Sequence, residues 1–269
     1  MNNFQGRIVL ITGGASGIGK IMCRLFLERG AVVVIWDVNQ QGIEDAIAQL
    51  SPKGKITGYT LDVTNVTQVK ETAAKVKAEV GTVDILINNA GIIVGKYFHN
   101  HFTTDISKTM EVNTIAPMIV AAEFLDGMIA QDSGHICNIA SSGGLISNPK
   151  MSVYAASKWA LIGWSDSVRL EMKQLKKRVN VTTIMPYYIN TGMFDGVKSK
   201  LPILDPEEVS LTILRAIENN KTMVSIPGYI YRVTRFAQAL MPISLFDWFA
   251  DKVLGIYKTM DHFTGRQKN

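Results

Sequence analysis

The stretch from Arg7 to Gly19 constrains the fold more than any other part of the chain. Residues 7–12 (Arg-Ile-Val-Leu-Ile-Thr) form a short β-branched run, the pattern of a strand buried in a parallel sheet. The run breaks into Gly13-Gly-Ala-Ser-Gly17-Ile-Gly19, and residues 18–29 carry Ile21, Leu25 and Phe26 on one side of a helix. Strand, glycine turn and helix in this order make a phosphate cradle. Gly13 permits the tight turn, Gly17 allows close approach of a pyrophosphate, and Gly19 lets the helix pack against the strand. Ser16 and Ile18 lie inside the same turn, where helix-start N–H groups receive phosphates. A glycine loop alone is equally a structural turn, so the flanking sequence has to decide.

The flanks repeat the pattern. Residues 31–36 form a second apolar run that ends in Asp37, about 20 residues past the loop. An acid there binds the ribose 2′-hydroxyl of NAD and repels the 2′-phosphate of NADP. No arginine follows within the next few residues. Helical stretches at 39–50 and 65–79 alternate with strands at 55–61 and 83–87, and further strands are expected at 134–140, 179–185 and 221–226. The alternation predicts an α/β fold, a doubly wound, mainly parallel sheet flanked by helices. One domain over residues 1–228, with a helical C-terminal extension over 229–269, accounts for the length.

Hydrophobic residues make up 47% of the chain and charged residues 19%, enough for a sizeable core. The net charge of +5 comes with a single basic cluster, 173–178, at an expected helix end where cations suit the dipole. Nucleic acid is therefore not an expected partner. Cys23 and Cys137 have no metal or redox spacing and read as buried thiols of a reducing, cytoplasmic compartment. No metal site is expected. Residues 1–7 are polar and give neither a signal peptide nor a membrane span.

Tyr154 and Lys158 stand four residues apart, which places a phenol and an ammonium on one helix face. A neighbouring cation stabilises a phenolate. Bringing a tyrosine pKa about three units down takes roughly 4 kcal/mol. Hydride transfer to a carbonyl creates an alkoxide, which needs a hydrogen-bond donor and a proton source within reach.

With these residues in view, the chain resembles the short-chain dehydrogenase/reductase family. The matching segments are the loop 12–19, Asp62-Val63, Asn88-Asn89-Ala90-Gly91, Asn113, Ser141 thirteen residues before Tyr154, and Tyr154 to Lys158. Together they cover residues 7–191. The resemblance implies that Tyr154 is the acid/base and that Lys158 lowers its pKa and holds the nicotinamide ribose. It makes Ser141 the donor to the substrate oxygen, ahead of Ser142, and gives Asn113 a proton-relaying water. Asp62, Val63, Asn89, Ala90 and Gly91 would line the cofactor site, as would Ile189 and Thr191. Pro186-Tyr-Tyr-Ile-Asn-Thr191 departs from the family pattern where Tyr187 replaces a glycine. Residues 192–200 read as a substrate lid, and Asp205 with Pro206 as a helix start.

The implied activity is NAD(P)-dependent interconversion of an alcohol and its carbonyl, with NAD favoured over NADP. A cofactor-binding regulator without turnover is the alternative. An enoyl reductase is disfavoured by the four-residue tyrosine–lysine spacing. Tyr188-Ile-Asn-Thr-Gly-Met-Phe194 and Met260-Asp-His-Phe-Thr-Gly-Arg266 resemble the branch acting on retinol-like and steroid alcohols. The family also implies a homodimer or homotetramer that uses the long helix after Tyr154.

In the extension, Ile230, Val233, Ala237 and Leu240 recur at helical spacing beside Arg232 and Arg235. After Pro242, a second apolar set runs Phe246, Phe249, Ala250, Val253, Leu254 and Tyr257, opposed by Asp247 and Asp251. Two amphipathic pieces of this kind serve as packing, as a pocket roof, or as a peripheral membrane contact.

Overall fold

In the computed structural model, which describes residues 4–265, the β-branched runs form seven strands. These are β1 (Ile8–Thr12), β2 (Val32–Asp37), β3 (Ile56–Thr60), β4 (Ile85–Asn88), β5 (Gly134–Ile139), β6 (Val179–Pro186) and β7 (Met223–Ile226). They pair in the order β3-β2-β1-β4-β5-β6-β7, and every pairing is parallel. The order reverses between β1 and β4, and the crevice for a ligand in such a sheet lies beyond the carboxyl ends at that point.

Helices cover both faces: α1 (Gly17–Leu27), α2 (Gln40–Leu50), α3 (Val66–Glu79), α4 (Thr103–Met110), α5 (Ala116–Ala130), α6 (Ser152–Gln174) and α7 (Pro206–Glu218). Side-chain alternation along the strands divides the core. Val9, Ile11, Val33 and Ile35 join α1, α2 and α7 on one face. Leu10, Val34, Trp36 and Leu86 join α3, α5 and α6 on the other. Caps set the helix starts. Asn39 and Asn65 accept from backbone N–H groups of α2 and α3, and Asp205 accepts from Glu207 and Glu208 N ahead of Pro206. Expected boundaries shift by one to three residues; the long helix stops at Gln174 rather than near 177.

The helical stretch expected before Asn113 runs on further than the sequence reading gave it. Residues 103–130 run through a wide π turn at Glu111–Ile115 that joins α4 to α5. By length and composition this stretch could cross a membrane, but half of its most apolar window is buried inside the protein. It is a core helix of the domain.

The extension forms α8 (Tyr229–Leu240) and α9 (Ile243–Trp248), then a π turn at Phe249–Val253 and a 3-10 turn at Ile256–Lys258. Its packed stripe differs from the expected one. Ile230, Thr234 and Ala237 are buried, whereas Val233 and Leu240 are 53% and 66% exposed. Only a narrow arc of α8 meets the domain, and it is centred on Thr234's side rather than Val233's. In the second piece Ala250 is buried, Phe246, Phe249 and Leu254 are half-buried, and Val253 is exposed. Arg266 lies outside the described residues.

Candidate active site

The carboxyl ends of β1, β4 and β5 are stitched by short polar side chains. Thr12 Oγ1 accepts from Asn89 N (3.0 Å) and Ala90 N (3.1 Å). Asn89 Nδ2 donates to Thr12 O and Gly13 O. Asn88 Nδ2 donates to Asn138 Oδ1 (2.8 Å), whose Nδ2 donates to Ser165 Oγ on α6. Apart from Asn88 Oδ1, which has no partner among the described residues, these buried amides are paired, and they tie the strand ends at the mouth of the crevice together.

A long cleft opens beyond these ends. Among its lining residues are Gly13, Ser16, Gly17, Ile18, Asp37, Asp62, Val63, Asn89, Ala90, Gly91, Ile189 and Thr191, together with Ser141, Tyr154 and Lys158. Fifteen of the sequence-expected site positions therefore share one cavity. Gly19 and Asn113 stand behind its wall. A Cβ on Gly19 would lie 2.1 Å from Gly13 O, so only glycine lets α1 approach the turn this closely. Ser16 caps α1 without a side-chain bond to the helix, and first-turn N–H groups have no intrahelical acceptor. This cradle, its helix start and the flanking carboxylate of Asp37 fit a dinucleotide. Asp37 also braces the loop, since its Oδ2 accepts from Ala15 N (3.1 Å) and its Oδ1 from Asn39 N (3.1 Å). Asp62 Oδ1 accepts from Thr64 N and Oγ1, which fixes the turn after β3.

The catalytic-type groups converge where β5 ends and α6 begins. Tyr154 sits in the first turn of α6 and is 4% exposed. Ser141 caps the 3-10 turn after β5, with Oγ accepting from Gly143 N (3.0 Å). Lys158 Nζ donates to Ile139 O (2.8 Å) and lies 5.8 Å from the Tyr154 ring centre. Burial pushes the Tyr154 phenol up to about 12, and its hydrogen bond with Ser141 pulls the other way. Burial alone brings Lys158 down to about 8. Among these protein groups burial, opposed by Ser141, sets the phenol's shift, and the Lys158 ammonium faces Ile139 O.

Asn113 is fully buried in the π turn. Its Oδ1 accepts from Ile92 N (2.8 Å), and its Nδ2 donates to Ile92 O (2.9 Å) and Ser157 Oγ (3.1 Å). Its amide therefore ties the segment after Gly91 to α6.

A second pocket adjoins the cleft and shares Ser141, Tyr187 and Phe194 with it. Its walls are mostly apolar: Ile146 and Met151 from the loop before α6, Tyr188 and Leu201 from the segment after β6, and Ile230 with Leu254 from the extension. Tyr187, in place of a glycine, hydrogen-bonds Ser199 Oγ (2.9 Å) and packs edge-on against Tyr188, which packs against Phe194. Phe194 in turn lies edge-on to Tyr154. Sequence reading missed Asn148 and Met151, whereas a pocket roof was one of the expected roles of the extension. The apolar spacing of 230–254 was visible, but nothing local showed where it docks.

The fold and this paired cleft define a nicotinamide-dependent oxidoreductase of the short-chain class. The short chain dehydrogenase family model matches residues 7–202, and the chain belongs to that family. Over 273 residues it is 37% identical to epidermal retinol dehydrogenase 2 of Mus musculus, covering 99% of this chain and 88% of the relative. It is 35% identical to estradiol 17-beta-dehydrogenase 11 of Homo sapiens, covering 87% of this chain and 79% of the relative. A short chain dehydrogenase/reductase from Burkholderia phymatum, solved in complex with NAD, superposes with a TM-score of 0.82 at 22% identity, over 89% of this chain and 95% of the other. The chain is an oxidoreductase that interconverts an alcohol and its carbonyl with a nicotinamide cofactor.

Proposed function

We propose that the protein acts on lipophilic alcohols or their carbonyls, with NAD favoured, and that Tyr154 is its acid/base. The observation that carries the substrate class is the pocket beside Ser141, whose walls are almost wholly aliphatic and aromatic. Such a pocket rewards burial of an apolar body at about 25 cal/mol per Å² and penalises an unpaired polar group. The names of the relatives, a retinol dehydrogenase and an estradiol dehydrogenase, support the same class.

The cofactor, when bound, accepts or donates the hydride. This chain's residues do the rest. Ser141 and Tyr154 hold the substrate oxygen where charge develops, and the phenol gives or takes the proton. Lys158 adds positive charge and a ribose contact. Asn113, whose side-chain amide bonds Ile92 and Ser157, is the residue that would hold a relaying water. Asp37 favours an unphosphorylated ribose. The simultaneous presence of Asn113, Ser141, Tyr154 and Lys158 speaks against a cofactor-binding regulator.

Around this core we treat residues 1–228 as the dehydrogenase domain and 229–269 as its extension, in a cytoplasmic protein. Exposed Trp159 and Leu170 on α6 support a homodimer or homotetramer. Light scattering that returns 29.6 kDa at micromolar concentration refutes assembly. Phe236, Ile243 and Trp248 are more than half exposed near Arg232 and Arg235 and support peripheral membrane contact. Flotation with anionic liposomes at low salt tests that contact.

The substrate test is a panel of short aliphatic, aromatic, retinoid and steroid alcohols with NAD and NADP, read at the nicotinamide absorbance. The lipophilic alcohols are expected to give the highest kcat/KM. Equal or better efficiency with short aliphatic alcohols overturns the reading.

A further inference from the structure

We propose that Thr259 is a positioning residue, holding residues 256–265 as a strap that keeps the substrate lid and the Ser141 loop in register. The proposal rests on the reading that the apolar pocket receives the alcohol.

Thr259 is 1% exposed and stands at a junction of separate parts of the chain. Asn148 Nδ2, on the loop that leads from Ser141 to α6, reaches Thr259 Oγ1 (2.8 Å) and the Tyr188 hydroxyl (3.1 Å). The Tyr188 and Thr259 hydroxyls lie 2.9 Å apart, and Thr259 Oγ1 donates to Ile256 O (2.9 Å). One arrangement of the donors satisfies both hydroxyls and Ile256 O, with Met151 Sδ a further acceptor 3.6 Å from Asn148 Nδ2 and from the Tyr188 hydroxyl. The two amide protons go to the two hydroxyls, the Tyr188 proton goes to Thr259, and the Thr259 proton goes to Ile256 O. Flipping the Asn148 amide would strand its Nδ2, so the network fixes the orientation. Only Asn148 Oδ1 is left without a partner. The Thr259 carbonyl meanwhile accepts from Lys198 N of the lid (3.1 Å). One residue thus joins the serine loop, the end of β6 and the lid.

The rest of the strap follows the same course. Asp195 O accepts from Thr264 N and Gly265 N, and Lys150 Nζ pairs with Asp261 (2.9 Å). The seat is shaped for it. A Cβ on Gly95 would stand 2.3 Å from the Phe263 ring, and one on Gly196 would stand 1.9 Å from His262 O. Thr259 lines neither the cofactor cleft nor the apolar pocket. Its effect on catalysis must therefore pass through the segments that it holds.

The test compares wild type with Thr259→Val, which keeps the shape and removes the hydroxyl, and Thr259→Ser, which restores it. Two readouts are taken: steady-state kinetics with NAD and a long-chain secondary alcohol, and amide hydrogen exchange at Lys198. Thr259→Val is expected to raise KM for the alcohol about tenfold with kcat little changed, and to speed Lys198 exchange about tenfold, as loss of a buried hydrogen-bonded node implies. NADH affinity should hold, and Thr259→Ser should recover both values. Wild-type KM and exchange in Thr259→Val overturn the proposal, and so does a serine variant that behaves like valine. If Thr259→Val does not fold, Tyr188→Phe removes one donor of the same network. Exchange faster by about threefold there supports the strap, since part of the network remains, and unchanged exchange overturns it. If no alcohol is turned over, the substrate reading fails on its own, while the exchange arm still decides the strap.

Discussion

Replacing Lys158 with methionine should make the protein more stable at neutral pH while destroying its activity. Lys158 is 4% exposed, and burial lowers its pKa from 10.5 to about 8. A charged form disfavoured to that extent costs the folded state roughly 3 kcal/mol when both states are protonated. The lost hydrogen bond to Ile139 O returns ~1 kcal/mol of that. A net gain of about 2 kcal/mol remains, or roughly 4 °C in Tm for a chain of this size. The sign with pH follows from the direction of the shift. Below pH 8 both folded and unfolded lysine are protonated, so the penalty is fully present. Between pH 8 and 10.5 the unfolded state holds more protons, so wild-type stability rises with pH and the advantage of the variant fades. Calorimetry of both proteins from pH 6.5 to 10 measures this directly, with turnover assayed in parallel. A variant that is less stable at pH 7, or an advantage that does not shrink toward pH 10, refutes the argument that Lys158 is retained against its desolvation cost for function.

Tyr154→Phe should lower kcat/KM by at least ~10²-fold, the usual worth of general acid–base catalysis, while NADH binding followed by fluorescence is preserved. A residual rate above about a tenth of wild type removes Tyr154 from the acid/base role. Asp37→Ala should move the kcat/KM ratio toward NADP. It should also soften the loop, because Asp37 accepts from Ala15 N and Asn39 N. An unchanged cofactor ratio shows that Asp37 acts only as this brace.

The fold was legible because strand and helix signals alternate with little interference. The run at 7–12 and the acid-tipped run ending at Asp37 became β1 and β2 within a residue, and their switch with β4 placed the cleft. The cofactor side was legible for the same reason: it is made of turns directly after strands, where local sequence and site coincide. The substrate side was not. Its walls come from segments around 146, 188, 201 and 230–256, joined only in three dimensions. The Asn148–Thr259 bond spans 111 residues, and neither residue carries a local signal. The π turn around Asn113 escaped as well, since one extra residue in a helix leaves no mark in an apolar period.

The tyrosine and lysine shifts also set how the rate should vary with pH. Burial moves both groups toward their neutral forms, Tyr154 to about 12 and Lys158 to about 8. At pH 7 the phenol is therefore protonated and the lysine charged, the arrangement of a proton donor ready for carbonyl reduction. Alcohol oxidation needs the reverse, a phenol that has given up its proton, and this state gains from every neighbouring positive charge. Rising pH helps by drawing off the phenolic proton and hinders by discharging Lys158. The two effects oppose one another above the lysine's pKa. The kcat/KM for oxidation should accordingly climb from pH 6 and level off above about 8, where gain of phenolate and loss of the lysine charge cancel, whereas reduction should be fastest on the acid side. Profiles of both directions at saturating cofactor measure this. Oxidation that rises without a break to pH 10 shows that the charge on Lys158 is not what stabilises the phenolate, and that the lysine serves only as a ribose contact.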